Sequence, residues 1–153
     1  MKQIQLFPAL ICFFWVSCGE KPEQAREVAS PSTSSSEAYD AKKGVGKFTK
    51  VDVSPQLDIK MADKGNKVYD MKCGSCHKLT EERLVGPGWK GVTSRHAPEW
   101  VMNFVTNVDE MLEKDAAAQA QLEICLVRMP NQNLTDDDAR NIYEFMRKND
   151  GVK

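Results

Sequence analysis

Cys73-Gly74-Ser75-Cys76-His77 sets two thiols three positions apart and puts one of the chain's two histidines directly behind them. Three chemistries use such a string. They are a thiol–disulfide switch, half of a zinc site, and covalent attachment of haem c, in which the thiols bond the porphyrin and the histidine binds iron. The surrounding residues weigh among them.

A structural zinc site needs four protein ligands, usually in two pairs. Downstream of the string only Cys125 and His96 remain, with no second C-x-x-C or H-x-x-x-H. A thioredoxin-like switch sits between a strand and a helix, and no strand pattern precedes Cys73. Haem attachment fits best. Cys73 and Cys76 add across two vinyl groups of one porphyrin, and the turn between them brings His77 beneath the ring with Nε2 toward the iron. The sixth iron ligand then decides the chemistry. Met129 leads, because it follows a helix and precedes Pro130 and a polar loop. Met111, at a helix junction, and His96, just before Pro98, are the rivals. Methionine ordinarily fills a core; Met71, Met102 and Met146 fit helix faces.

Outward from the string the apolar spacing is helical. Asp58–Lys72, "DIKMADKGNKVYDMK", runs into Cys73 with Met61, Val68, Tyr69 and Met71 at helical intervals. Residues 78–97 are a loop marked by Gly86, Pro87, Gly88 and Gly91. Pro98 opens a second helix whose apolar face is Trp100, Val101, Phe104, Val105 and Val108. A third helix runs through residues 113–128. Thr135 with Asp138 forms a capping box for the last helix, and three aspartates in its first turn suit the helix dipole. Ala139, Ile142, Tyr143, Phe145 and Met146 face inward there. The expected domain is all-α and spans 58–153.

The N-terminal end reads differently. Lys2 and the apolar run 4–17 form a signal peptide over 1–17, too short for a spanning helix. Ser17-Cys18-Gly19 resembles a bacterial lipoprotein site, so Cys18 is the expected lipidation point; an ordinary cleaved signal is the alternative. Residues 18–57, with "SPSTSSSE" at 30–37, contain few large apolar residues and are expected as a flexible tether. Within them "GVGKFTKVDVSP" at 44–55 alternates enough to pack as an extended lead-in. The whole chain has 153 residues and a formal net charge of −1. That balance argues against nucleic-acid binding and against general attraction to anionic lipid.

Together these residues resemble class I c-type cytochromes over 58–153. Gly65 and Tyr69 match a glycine and an aromatic that family members carry eight and four positions before the first cysteine. The resemblance implies that Gly65 lets the first and last helices cross closely against Ile142, Phe145 and Met146. It implies that the Pro87 carbonyl accepts a hydrogen bond from His77 Nδ1. "MPNQNLTDDDARNIYEFM" at 129–146 is similar to the family's methionine loop and C-terminal helix. "CGEKPE" at 18–23, "RHAPEWVMNFVTN" at 95–107 and "MPNQNLT" at 129–135 are similar to lipid-anchored mono-haem cytochromes associated with nitrous-oxide reductase or terminal-oxidase systems.

The expectation is a single-electron carrier, not an enzyme, with one covalent haem c and iron held by His77 and Met129. It is expected on the periplasmic side of a bacterial membrane, exported and lipid-anchored. There it meets redox partner proteins, a respiratory donor and a terminal reductase or oxidase, with Lys72, Lys78 and Lys90 near the haem edge. Trp89, Trp100 and Phe104 are expected pocket walls. The rivals are an open-iron peroxidase or gas sensor, a C-x-x-C thiol oxidoreductase, and a lipoprotein docking module. Cys125 is expected as a small buried hydrophobe.

Overall fold

The computed structural model describes residues 39–153. The expected signal peptide 1–17, Cys18 and residues 19–38 of the tether lie outside the described residues. Six α-helices succeed one another: α1 Ile59–Val68, α2 Val92–Arg95, α3 Pro98–Thr106, α4 Val108–Lys114, α5 Ala116–Cys125 and α6 Asp136–Asn149. The described residues hold no strand, only isolated bridges such as His77 with Arg83. None of the described helices is long and apolar enough to cross a membrane.

The first and last helices form the frame. Asp58 caps α1 by accepting from the Met61 amide at 2.9 Å. Thr135 and Asp138 make the expected capping box on α6, and all five of its expected inward residues are buried. The two helices cross at Gly65. A Cβ there would overlap the Asn141 carbonyl oxygen and stand 2.8 Å from Phe145 Cβ. Only a residue without a side chain allows that approach, which outweighs the weak helix propensity of glycine. The crossing is therefore the one the family resemblance implies.

Several local expectations change, and the expected loop 78–97 holds the short helix α2. The run from Asp58 does not end as plain α-helix: Tyr69–Cys73 is a π turn, with Gly74 N–H donating to Tyr69 O at 2.9 Å. The wider turn rotates the side chains at its end, so Cys73 is buried and Met71 faces solvent instead of a packed face. Val108 belongs to α4, because Asn107 leaves helical geometry at φ −141°. The expected third helix is interrupted at Asp115, which is extended and caps α5 by accepting from the Ala118 amide at 2.8 Å. It then stops at Cys125, where Leu126 takes a left-handed cap at φ 59°.

The tether expected over 18–57 ends earlier than expected, because residues 39–57 pack against the helices. The Tyr39 hydroxyl donates to Asp115 at 2.7 Å. Val45 N–H reaches Met111 Sδ at 3.0 Å, and Phe48 N–H reaches Asn103 Oδ1 at 2.9 Å. Asn103 returns two bonds, to the Lys43 and Phe48 carbonyls, and Arg147 donates to the Ser54 and Pro55 carbonyls. These buried side chains supply the partners that an extended backbone without a sheet needs. The folded unit therefore includes residues 39–57.

Candidate haem site

The π turn delivers the Cys73–His77 string to the core. Cys76 and His77 amides both donate to Cys73 O at 3.0 Å, closing a tight turn. Tyr69 braces it from below: its hydroxyl donates to His77 O at 2.6 Å, and its ring meets Trp89 edge-on at 5.0 Å. Cys73 is buried and Cys76 half-buried, and neither is in a disulfide. Burial pushes the Cys73 thiol up to about 11, Lys72 lowering it and Cys76 raising it less. A redox-active cysteine needs a stabilised thiolate in reach of solvent, so this thiol does not suit a switch. No group of three or more His, Cys, Asp or Glu side chains is placed to hold a metal ion among the described residues, which disposes of zinc.

The loop after the string closes over His77. Val85 and Gly86 amides donate to Cys76 O, and Gly86 lies so near the imidazole that a Cβ there would run into the ring. His77 Nδ1 lies 2.9 Å from Pro87 O. A carbonyl only accepts, so Nδ1 carries the proton and Nε2 keeps a free lone pair. Burial lowers the His77 pKa, and the Pro87 bond offsets it only in part. The ring is thus neutral and oriented, as a metal-binding imidazole must be.

His77 opens onto a cavity of about 460 Å³ whose lining includes Cys76, Pro87, Trp89, Trp100, Phe104 and Met129. That volume lies in the ordinary range of small-molecule and cofactor pockets. The three expected aromatic walls are all present. His96, Trp100 and Phe104 form a stack, with centroids 3.8 Å and 5.2 Å apart. Trp100 Nε1 donates to the buried Asp115 at 3.1 Å, which fixes the wall in place. Cys73 sits buried in the adjoining core, not on the cavity lining. One thiol, a preset imidazole and a thioether line the apolar cleft, and the second thiol lies in the adjoining core; this donor set fits a covalently attached haem.

The rival sixth ligands separate. Met111 is fully buried away from the cavity, its sulfur taken by the Val45 amide. His96 does line the cavity, but its ring lies flat on Trp100; burial and then Arg95 lower its pKa, against a smaller opposing effect of Asp115. Met129 lines the cavity in the irregular segment after α5. Cys125 also lines it, a small side chain on the cavity wall and not in the closed core. Sequence reasoning missed the polar lining residues Arg95, Gln121 and Arg128. The three lysines expected around the haem edge are engaged: Lys72 with Gln132 O, Lys78 with Glu82, and Lys90 with Asn149 O.

Residues 62–150 match the family described as Cytochrome c. Among solved structures, a cytochrome c from Rhodothermus marinus is 28% identical, with a TM-score of 0.66 over 69% of this chain and 90% of that one. An engineered form of that cytochrome, bound to a carbene intermediate, is 27% identical, with a TM-score of 0.63 over the same shares. Among curated proteins nothing matches.

Proposed function

Because the chain belongs to the cytochrome c family and carries one covalent haem c as an electron carrier, we propose that His77 and Met129 are the iron's two axial ligands, and that Cys73 and Cys76 hold the porphyrin. The observation that carries this reading is that His77 and Met129 line one apolar cavity, with the His77 ring already oriented by Pro87. When bound, haem supplies an iron that gains and loses one electron, and a thioether ligand favours the ferrous state. The chain's own part is to hold and shield. Pro87 fixes the tautomer that frees Nε2, and Gly86 keeps the loop pressed on the ring. Trp89, Trp100 and Phe104 exclude water, and low polarity around the site opposes the extra charge of ferric iron.

The setting we propose rests on the sequence: signal peptide 1–17, lipid on Cys18, and a periplasmic, membrane-anchored carrier. Its partners are a respiratory donor and a terminal reductase or oxidase, nitrous-oxide reductase systems included. A link to the membrane would raise the effective concentration of haem domain at those partners. One second reading has a specific support. The engineered relative accepts a carbene, and half-exposed Met129 sits in a loop, so an iron with an open sixth position would permit peroxidase or gas-binding chemistry.

Visible spectra of the haem-loaded protein, oxidised and reduced, beside Met129→Ala, separate the two. A low-spin wild type whose methionine–iron charge-transfer band vanishes in the variant is the expected result. A high-spin wild type that binds carbon monoxide when reduced, or a spectrum indifferent to the substitution, would remove Met129 from the iron.

A further inference from the structure

The described residues bury two acidic side chains completely, Glu144 and Asp115. Glu144 is paired with Arg140 and Arg147. Asp115 has no such partner: none of the ion pairs among the described residues includes it. Its carboxyl accepts from the Tyr39 hydroxyl, the Trp100 indole and the Ala118 amide, at 2.7, 3.1 and 2.8 Å. It accepts three bonds and donates none, the pattern of an ionised carboxylate. All three donors are neutral. Together with the N-terminal end of α5 they hold the negative charge without cancelling it.

Folding does not explain that charge. Asparagine or serine caps a helix as well as aspartate does, and a neutral acceptor would satisfy Trp100 and Tyr39. Burying a charge without a paired cation costs more than burying a polar group. Its place in the fold suggests another use. Asp115 joins α4 to α5, which reach the haem cavity through Leu112 and Leu122, and it touches Trp100, a cavity wall. Its field extends past the indole to His96, stacked on the same ring: burial and then Arg95 lower the imidazole pKa there, and Asp115 raises it. Arg95 and Arg128 are the cations on the cavity lining, and they bond the Lys90 carbonyl and Asp109, not Asp115.

We propose that Asp115 is a counter-charge for the oxidised iron, held one side chain away from the cavity, and that it sets the reduction potential below the value that Met129 and the apolar walls would give alone. Loss of one electron to a partner adds one positive charge in the cleft. Asp115 keeps its single negative charge in both states, and no proton moves. A fixed negative charge in a poorly screened interior favours the state with the extra positive charge. The inference rests on the carrier function above and deepens it.

The test is the midpoint potential of the full haem-loaded chain, followed by its visible spectrum in an electrochemical cell. Asp115→Asn keeps the shape and the cap and removes the charge. It should shift the ferric–ferrous equilibrium about tenfold toward ferrous, a rise of about 59 mV for one electron. Tyr39→Phe opens the clasp on residue 39 and leaves the charge in place, so its potential should not rise. The Asp115→Asn shift should persist from roughly 0.05 to 0.5 M salt, because a buried charge is screened little. If asparagine disturbs the methionine–iron band, Asp115→Ser replaces it. In the unsubstituted ferrous protein the Asp115 carboxyl carbon, read by carbon-13 resonance, should have the shift of a carboxylate at neutral pH. An unmoved or lowered potential in the neutral variant, an equal rise in Tyr39→Phe, a shift abolished by salt, or the carbon resonance of a protonated acid each overturns the proposal. A parent with a reversible one-electron couple that does not respond to Asp115 refutes the counter-charge alone. A parent with no such couple refutes the carrier function, and the counter-charge with it.

Discussion

Leu126 and Gly86 show how single residues hold the site in two opposite ways. At Gly86 the absence of a side chain lets backbone press on the His77 ring. At Leu126 the side chain is retained where the backbone disfavours it, at a cost of roughly 1–2 kcal/mol for an L-residue in the left-handed region. Leu126→Asn alone should therefore raise the stability of the haem-loaded protein by about 1 kcal/mol, asparagine being the side chain most at home there. Denaturant midpoints of the two proteins measure this, and an unchanged or lower midpoint would mean that Leu126 packs usefully in solution. At this scale the sequence was informative where chemistry is spelled out. The Cys73–His77 string stands out because its residue types and spacing are specific, the His77–Pro87 contact follows from the family resemblance, and Met129 lines the same cavity as His77. Met111 could be set aside only once its sulfur was seen under the Val45 amide, 66 positions away.

Among the elements, α6 carries an ion cluster with a clear pH signature. Glu144 is fully buried and accepts from Arg140, Arg147 and the Asp58 amide, at 2.7, 2.7 and 2.9 Å. Burial pushes its carboxyl up, but those donors outweigh burial and hold it below the ordinary glutamate value of 4.5. As pH falls the unfolded chain therefore takes up this proton first. The stability supplied through Glu144 is whole above about pH 4.5 and drains as pH drops through the folded value. Glu144→Gln should cost about 3 kcal/mol at pH 7, since it strands the buried Arg147. It should also flatten the acid limb of a stability-against-pH curve; an equally steep limb in the variant would assign that limb to other carboxylates. Helix existence and caps were legible here, because Thr135, Asp138, Asp58 and Pro98 act locally. The π turn at Tyr69–Cys73 and the break at Asp115 were not. The π turn answers to the turn that follows it, where Tyr69 bonds the His77 carbonyl, and the break answers to Tyr39 and Trp100, 76 and 15 positions away.

For the whole molecule, the crossing of α1 and α6 and the strap of residues 39–57 set the architecture. Gly65→Ala should drive the two helices apart and destabilise the protein by up to about 3 kcal/mol, the usual cost of overpacking, and more if backbone cannot shift. Thermal unfolding of the haem-loaded variant measures it, and a loss below about 0.5 kcal/mol would show that the crossing has slack. The strap was under-read from composition, because its few apolar residues and many lysines resemble a linker. Its order comes instead from Asn103, Asp115 and Arg147, buried polar residues on the helices that satisfy its backbone and its one tyrosine.

That strap also has a mechanical meaning. A load applied at residue 39 would not fall first on α1 or on the haem cleft. It would meet the Tyr39–Asp115 clasp, then the Asn103 clasp, then the Arg147 clasp, one after another along the surface. A domain tugged from that end would yield stepwise, peeling its outer band while the α1–α6 crossing and the haem cavity stayed unloaded until the last clasp opened.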